Sequence, residues 1–334
     1  MARQAKFATS PSEAQVTGLL NSAAVRARLA LRGIFDRHVR AKRLPGRGEI
    51  YQVTACSGDL VVRFPRDEAD LAVLAKEERV QRGLRDRVTL RIPDTHVVDD
   101  LDGVPAFAIH HLVPGAPLDD DCYAGLSARG RDRLVRDLAT FFQQTHGIPL
   151  EVACGWLDIP YAGQGTAAKL ASAQRSHAWF GPSAVAEMRP ALLPLLDTDE
   201  ARLFEETDHL FQARRVCPDD MAFCHGDIHG YNVAMGKDAL GAKIVGIFDL
   251  GNAGILDVHE DFFRLSLVSE DLVERVMAAY EARSARARML DRDRIATFYR
   301  AFLFHLMVGK TGEPLAHLKR LLREHVAYWE GEKH

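Results

Sequence analysis

Apolar residues recur at threes and fours from Ser12 to about Val39, at Val16, Leu19, Leu20, Val25, Leu29, Leu31 and Ile34, and this spacing predicts a leading helix. Residues 1–10 before it read as a loose polar end. Pro45-Gly46-Arg47-Gly48 breaks the pattern. Two β-rich runs follow, Ile50–Ala55 and Leu60–Phe64, joined through Cys56-Ser57-Gly58-Asp59, and they predict a hairpin. From Asp67 to about Leu84 the period returns to helical, with Leu71, Leu74, Val80 and Leu84 on one face. Arg91–Val98 and Pro105–Leu112 read as two further strands, and Pro114-Gly115-Ala116-Pro117 is the strongest punctuation of the first half.

Beyond that break the pattern is mainly helical. Gly130–His146 carries Leu134, Leu138, Phe141 and Phe142 at amphipathic spacing; residues 151–182, with Trp156, Tyr161 and Trp179, look irregular; Ala184–Ala213 is helical again. Short strands are predicted at Ala222–Cys224, Asn232–Met235 and Lys243–Phe248, with helices from Asp261 to the end. Strands cluster early and helices late, which predicts an α+β chain rather than a doubly wound sheet. At 334 residues the chain exceeds one ordinary core, so two lobes are expected, 1–113 and 114–334.

Composition narrows the function classes. The net charge of -3 offers no basic field for nucleic acid. The five cysteines are scattered and form no C-x-x-C, which argues against a disulfide framework or a zinc site and fits a reducing cytoplasm. No window approaches a membrane span, and the N-terminus lacks the apolar core of a signal peptide.

The chemistry concentrates between Phe223 and Asp261. His225-Gly226-Asp227 turns out of an apolar run, and Gly226 lets the backbone bend where a side chain would crowd. Asp227 can hydrogen-bond an incoming alcohol. Asn232, five residues on, offers a neutral carbonyl oxygen to a hard cation, and Asp249 adds a charged oxygen after the run Ile244–Phe248. A hairpin turning at Gly236–Gly241 brings Asn232 and Asp249 onto neighbouring strands. Phosphoryl transfer asks for this inventory: a carboxylate facing the acceptor hydroxyl and oxygen ligands for Mg²⁺ on the nucleotide phosphates. As isolated turn residues Asp and Asn are commonplace; their combined spacing beside apolar strands is not. His225 reads as a structural tie for the loop. His225 and His229 do not make a zinc pair, because Gly226 and Gly230 disfavour the helix that an i, i+4 pair requires.

The string His225-Gly226-Asp227-x-x-x-x-Asn232, then Ile247-Phe248-Asp249 and Gly254-Ile255-Leu256-Asp257-x-x-x-Asp261, resembles the aminoglycoside phosphotransferase and choline kinase-like family. It departs from the family's usual pattern at Asn252, where an acid is frequent, and at Val258, where Pro is common. Upstream, Leu60–Arg66 looks like the family's nucleotide-lobe hairpin and Leu112–Leu118 like its hinge, so that about 30 to 320 can be laid on the family. The resemblance implies a bilobal protein-kinase-like fold, a small β-sheet nucleotide lobe followed by a larger helical lobe. It implies Asp227 as catalytic base, Asn232 and Asp249 as Mg²⁺ ligands, and Asp257 and Asp261 as supporting groups. It also puts Arg63 where most kinases of this fold carry a phosphate-binding Lys, a change from a compact ammonium to a planar fork. The partner of Arg63 is expected to be Glu77, which shares a face with Leu74, Val80 and Leu84, rather than Glu78. Adenine is expected on the backbone near His111 and Val113. Gly46-x-Gly48 lacks the third glycine of a kinase loop.

The co-substrate implied is ATP or GTP with Mg²⁺, and the acceptor a hydroxyl of an aminoglycoside-like molecule. The helical half offers Asp197, Asp199, Glu200, Glu205, Glu206, Asp208, Glu270, Asp271 and Glu274 to a cationic acceptor, though such density is ordinary on helices of a globular protein. The alternatives are a metabolic kinase of an amino alcohol, sugar or macrolide-like lactone, or a nucleotide-binding pseudokinase that acts on a partner. The intact Asp227, Asn232 and Asp249 argue against the last.

Overall fold

The computed structural model describes residues 11–31, 34, 39–43, 50–54, 59–163, 165–177, 179–283 and 289–331. The expected loose end over 1–10, the Gly46-x-Gly48 turn and the Cys56-Ser57-Gly58 turn lie outside these residues. The chain divides into two compact units, Met1–Gly115 with Val245–Asn252, and Ala116–Ile244 with Ala253–His334.

The leading helix is two. Helix α1 (Glu13–Asn21) begins at Ser12, whose hydroxyl accepts from the Gln15 N–H while the Gln15 side chain accepts from the Ser12 N–H. Ser22 then takes an extended ψ of 146°, which ends α1 and starts α2 (Ala23–Ala30), a break that apolar spacing does not register. A strand not foreseen, β1 (Arg40–Arg43), precedes β2 (Ile50–Thr54), β3 (Leu60–Arg63), α3 (Glu68–Leu84), β4 (His96–Val98) and β5 (Phe107–His111). The charged run Arg40–Arg43 has no apolar alternation to announce it, and its pairing with β2 makes it a strand. The five strands form one antiparallel sheet in the order β1-β2-β3-β5-β4. The β4 strand is shorter than the run Arg91–Val98 suggests.

Period two explains the core. Leu60 and Val62 of β3, with Phe107 and Ile109 of β5, share a face, and Val16, Leu20, Val25 and Leu29 of α1 and α2 pack on it. The helix α3 starts at Asp67, whose carboxylate accepts from the Asp70 N–H.

The second unit begins with β6 (Ala116–Pro117) and continues through α4 (Asp120–Ala124) and α5 (Ala128–His146). The helix α5 buries Leu134, Val135, Leu138, Phe141 and Phe142. Residues 151–182 are not irregular: α6 (Leu150–Leu157) and α7 (Gly165–His177) occupy most of them, separated by Asp158 in left-handed backbone. The eight-residue helix α6 is too short to show a clear amphipathic period; it buries Ala153 and Cys154, and its Trp156 lies edge-on to Phe223 at 5.5 Å. Helices α8 (Pro182–Leu192) and α9 (Thr198–Ala213) follow, then β7 (Met221–Cys224), β8 (Val233–Asp238), β9 (Gly241–Ile247), whose last residues from Val245 count with the first unit, and β10 (Gly254–Asp257). The chain ends in α10 (Glu260–Phe263), α11 (Glu270–Glu281), α12 (Arg292–Met307) and α13 (Gly312–Gly331). Strand β10, also not foreseen, pairs antiparallel with β7, Gly254 opposite Cys224. Among the described residues no helix is long and apolar enough to cross a membrane.

Candidate active site

The loop after β7 is built from its backbone outward. All four residues of β7 are buried, as are His225 and Gly226, so the chain first comes partly into the open at Asp227. Gly226 makes the turn with φ +75°, a conformation that a side chain would oppose. Two backbone N–H groups at this turn would be orphaned without a partner. Asp261, fully buried at the start of the last helical stretch, takes both: Oδ2 accepts from the His225 N–H at 2.9 Å and Oδ1 from the Gly226 N–H at 2.8 Å. His146 Nε2 lies 3.1 Å from Oδ2. Burial works to raise the Asp261 pKa, but the His146 bond, the His146 and His225 charges and the Gly226 amide together hold it below the usual carboxylate value.

His225 is itself buried, and its Nδ1 accepts from the Asp227 N–H at 3.3 Å. Asp227 is therefore fixed through its own amide and the amide before it, while its carboxylate remains half-exposed. Asn232 is 5% exposed; its Nδ2 donates to the Asp227 carbonyl at 2.9 Å, which leaves Oδ1 as the amide's oxygen for a hard cation. Gly230 permits this close approach, since a Cβ there would stand 1.9 Å from the Leu118 carbonyl oxygen. The Leu118 N–H donates to the Gly230 carbonyl at 2.9 Å beside the β6–β8 pairing.

One neighbour of Asp227 was nearly invisible in the sequence. Arg264 Nε stands 3.2 Å from Asp227 Oδ1, at ion-pair distance but off the line of a hydrogen bond. Arg264 Nε and Nη1 are buried with no hydrogen-bond partner, and its guanidinium lies over the rings of Phe263 at 4.5 Å and Phe302 at 5.1 Å. Only its place in the apolar run Phe262-Phe263-Arg264-Leu265 hinted that it is not a surface cation. Trp179 packs edge-on or tilted against Phe263, Phe302 and His305, each within 6.0 Å. Glu260, half-buried as a residue, has a carboxyl enclosed enough that burial, then the Asp257 charge, pushes its pKa up to about 7. Asp257 is held in its own pairs, with His259 Nδ1 at 2.5 Å and Arg294 at 3.1 Å.

The first unit holds the other site candidates. Arg63, at the end of β3, forms an ion pair with Glu77 of α3, which is 1% exposed. Glu78 serves elsewhere, accepting from Arg82 at 2.9 Å. The second oxygen of Glu77 accepts from Gln81 Nε2 at 2.9 Å and from the Leu250 N–H at 3.3 Å. Asp249, one residue earlier, is exposed and adopts φ +66°, a left-handed conformation uncommon outside Gly, Asn and Asp. His111 ends β5, and its carbonyl lies 2.8 Å from His110 Nδ1; burial, then the Arg63 charge, lowers the His110 pKa to about 4. The Leu112 N–H is taken by the Asp59 carbonyl at 2.8 Å, and Val113 packs against Gly246, where a Cβ would clash with its side chain at 2.5 Å.

Six of the nine acids named in the helical half have close side-chain partners. Glu200 pairs with Lys319 and Arg323; Arg189 holds Glu205 and Asp208; Glu270 meets His325 at 2.7 Å; Asp271 meets Tyr123 at 2.5 Å; Tyr328 donates to Glu274 at 2.9 Å. Among the described residues one trio has metal-ligand proximity, His146, Cys224 and Asp261. The hydrogen bonds of Asp261 and a Cys224 thiol pushed well up by burial account for it without an ion. A cavity of about 540 Å³ between α9, α12 and α13, lined by Arg214, Arg294, His325 and Trp329, excludes Asp227.

The model of the phosphotransferase enzyme family matches residues 42–297. Among solved structures, the GDP and kanamycin complex of APH(2")-IIIa superposes with a TM-score of 0.65 at 20% identity, covering 91% of this chain and 98% of that one. Macrolide 2'-phosphotransferase type I gives 0.61 at 18% identity, covering 95% and 98%. The streptomycin-ATP ternary complex of APH(2")-IIa gives 0.52 at 18% identity, covering 90% and 96%. Likeness at these identities establishes the fold, the kinase-like α+β arrangement of these enzymes. No curated protein matches the sequence significantly.

Proposed function

The chain belongs to the phosphotransferase enzyme family, and from that premise we propose that it is a small-molecule kinase that moves the γ-phosphoryl group of ATP or GTP to an acceptor hydroxyl, with Asp227 as base. The observation that carries the reading is the immobilised Asp227. Its backbone is held by buried partners on both sides of Gly226, while its carboxylate stays half-exposed. Catalysis of this class is mainly alignment and charge stabilisation, so a fixed carboxylate is what the reaction asks of the protein.

In the proposed reaction the acceptor oxygen bonds to the γ-phosphorus as the bond to the β-phosphate oxygen breaks. The nucleoside diphosphate leaves, and the hydroxyl proton passes to Asp227. Mg²⁺, when bound, neutralises phosphate charge. The donors suit it: Asn232 offers Oδ1, since its Nδ2 is already committed, and Asp249 offers an exposed carboxylate. Arg63, held by Glu77, is assigned to the phosphates, and the backbone at His111 and Val113 to the base. In this reading the unit with the five-stranded sheet takes the nucleotide and the helical unit takes the acceptor. His225, Asp257 and Asp261 act through the backbone and do not react.

The solved relatives act as a guide to acceptors: one is complexed with kanamycin and another is a macrolide kinase. Acceptor-stimulated release of ADP or GDP, dependent on Mg²⁺, should appear with an aminoglycoside or a macrolide, and Asp227→Ala should abolish it while nucleotide binding persists. Turnover undiminished in Asp227→Ala would overturn the assignment. Nucleotide binding with no acceptor across aminoglycosides, amino alcohols, sugars and macrolides would favour a pseudokinase.

A further inference from the structure

We propose that His229 is a catalytic residue of this site: its Nε2–H donates to an oxygen of the phosphoryl group in transit, while its Nδ1 holds the loop. The inference rests on the kinase reading above and adds a residue to it.

The tautomer decides which nitrogen does what. His229 opens the short helical turn Gly230–Asn232, and its Nδ1 accepts from the Tyr231 N–H at 3.2 Å. A backbone N–H cannot rotate to become an acceptor, so Nδ1 carries no proton. In a neutral imidazole the proton then belongs to Nε2, which faces its surroundings as a donor.

Those surroundings are the two residues assigned to the reaction. Nε2 lies 3.9 Å from Asp227 Oδ1 and 3.3 Å from Asn232 Nδ2. The first distance is too long for a hydrogen bond. Arg264 stands closer to the same oxygen, at 3.2 Å, so the carboxylate does not depend on His229. The second contact sets two donors side by side, because the bond from Nδ2 to the Asp227 carbonyl at 2.9 Å fixes which end of the amide is nitrogen. Two donors in contact are relieved by an anionic oxygen that accepts from them, and the reaction brings one. The place is reachable: the His229 and Asp227 side chains are 24% and 23% exposed.

In the proposed reaction Asp227 lies on the acceptor side of the transferred group and Asn232 on the phosphate side. His229 is beside both, where that group passes. The acceptor oxygen bonds to phosphorus as the bond to the β-phosphate oxygen breaks, and the hydroxyl proton goes to Asp227. His229 keeps its proton throughout and stabilises charge on the phosphoryl oxygens.

The two nitrogens can be tested apart. In His229→Asn the amide oxygen replaces Nδ1 as the partner of the Tyr231 N–H, but no donor reaches the place of Nε2. In His229→Gln the longer amide returns a donor there. The probes are Mg-ADP and Mg-GDP, each titrated calorimetrically into the full-length protein with and without aluminium fluoride, a stand-in for the transferred phosphoryl group. No acceptor is needed. The readout is the ratio of the two affinities, which a general loosening of the fold leaves unmoved. Transition-state mimics bind far more tightly than ground states, so the unaltered protein should show a ratio of at least about 100. His229→Ala and His229→Asn should each lower it by about tenfold or more, and His229→Gln should restore part of it. Affinity without fluoride should barely change in any of the three. A ratio undiminished in His229→Asn, a Gln variant no better than Ala, or a ratio near one in the unaltered protein would each overturn the inference and leave the kinase reading in place. If the unaltered protein binds neither nucleotide, the kinase reading falls and takes the inference with it.

Discussion

Asp261→Asn tests whether a buried carboxylate organises the loop. The wild-type side chain accepts from the His225 and Gly226 amides and meets His146 Nε2, three contacts to an ionised group. Each hydrogen bond to a charged group contributes about 1.5–3 kcal/mol, less the cost of desolvating the carboxylate. Asparagine keeps the shape and one acceptor oxygen, but its NH₂ must face a donor, so at least one amide is left unsatisfied. The net loss should be about 2–4 kcal/mol, just under the roughly 3–5 kcal/mol for removing one partner of a buried ion pair. With a urea m-value of about 2–3 kcal/mol per molar, the unfolding midpoint should fall by about 1–2 M without a change in m. The pH dependence carries the sign. Because the folded Asp261 pKa lies below its ordinary 3.8, its contribution is present above that value and lost as pH falls through the depressed folded pKa. The wild-type advantage measured by urea unfolding should therefore hold from pH 7 to about pH 5 and shrink below pH 4. A loss under about 1 kcal/mol at pH 7, or an advantage independent of pH down to 3, would refute the ionised carboxylate as the organising group.

Three further outcomes follow from local geometry. Arg63→Met strands the buried Glu77 and should destabilise by about 3–5 kcal/mol in thermal or urea unfolding, with a raised nucleotide KM, whereas Arg63→Lys should cost less stability and still raise KM. Gly230→Ala drives a Cβ to within 1.9 Å of the Leu118 carbonyl and should cost about 1–3 kcal/mol with a marked fall in kcat; unchanged unfolding would contradict the close approach. Glu260 has a folded pKa raised to about 7, so its folded form binds a proton more tightly and stability falls as pH rises from the ordinary value of 4.5 through 7. Glu260→Gln should therefore gain on the wild type between pH 5 and pH 8, and a constant difference across that range would contradict the enclosure of the carboxyl.

Residue types and spacings were legible where chemistry and period coincide. The spacing of Asp227 and Asn232, the α3 and α5 helices and the Leu60–Arg63 strand all announce themselves through local pattern. What the sequence hid depends on partners. Arg40–Arg43 is a strand only because β2 lies beside it, and β10 only because β7 does. The helices of 151–182 are short and bury few residues, Ala153 and Cys154 in α6 and Thr166 and Ala171 among the described ones of α7, so no apolar face stood out in the pattern. The density of acids in the helical half suggested a cationic acceptor, but which acid meets which cation is decided by tertiary packing, and Arg189 alone takes two of them. Arg264 was missed for the same reason: an arginine in sequence carries no sign of being buried beside a carboxylate.

The two acids proposed to do the chemistry share a device, each within its own unit. Gly226, immediately before Asp227, gives its N–H to the buried Asp261; Leu250, immediately after Asp249, gives its N–H to the buried Glu77. In both places an interior carboxylate grips the backbone next to a carboxylate that stays open. Each gripping acid also has a basic partner, His146 for Asp261 and Arg63 for Glu77. A side chain fixed only by its own packing would lose freedom at the reactive oxygens, where ligands must bind. Fixing the adjacent amide instead restrains the backbone torsions and leaves those oxygens accessible, which is the form of preorganisation that transfer by alignment requires. The arrangement also explains why Asp249 tolerates a left-handed backbone: the Leu250 amide bond to Glu77 offsets strain of about 1–3 kcal/mol at that residue. Substituting either gripping acid should therefore disturb its neighbour's orientation before it disturbs its chemistry.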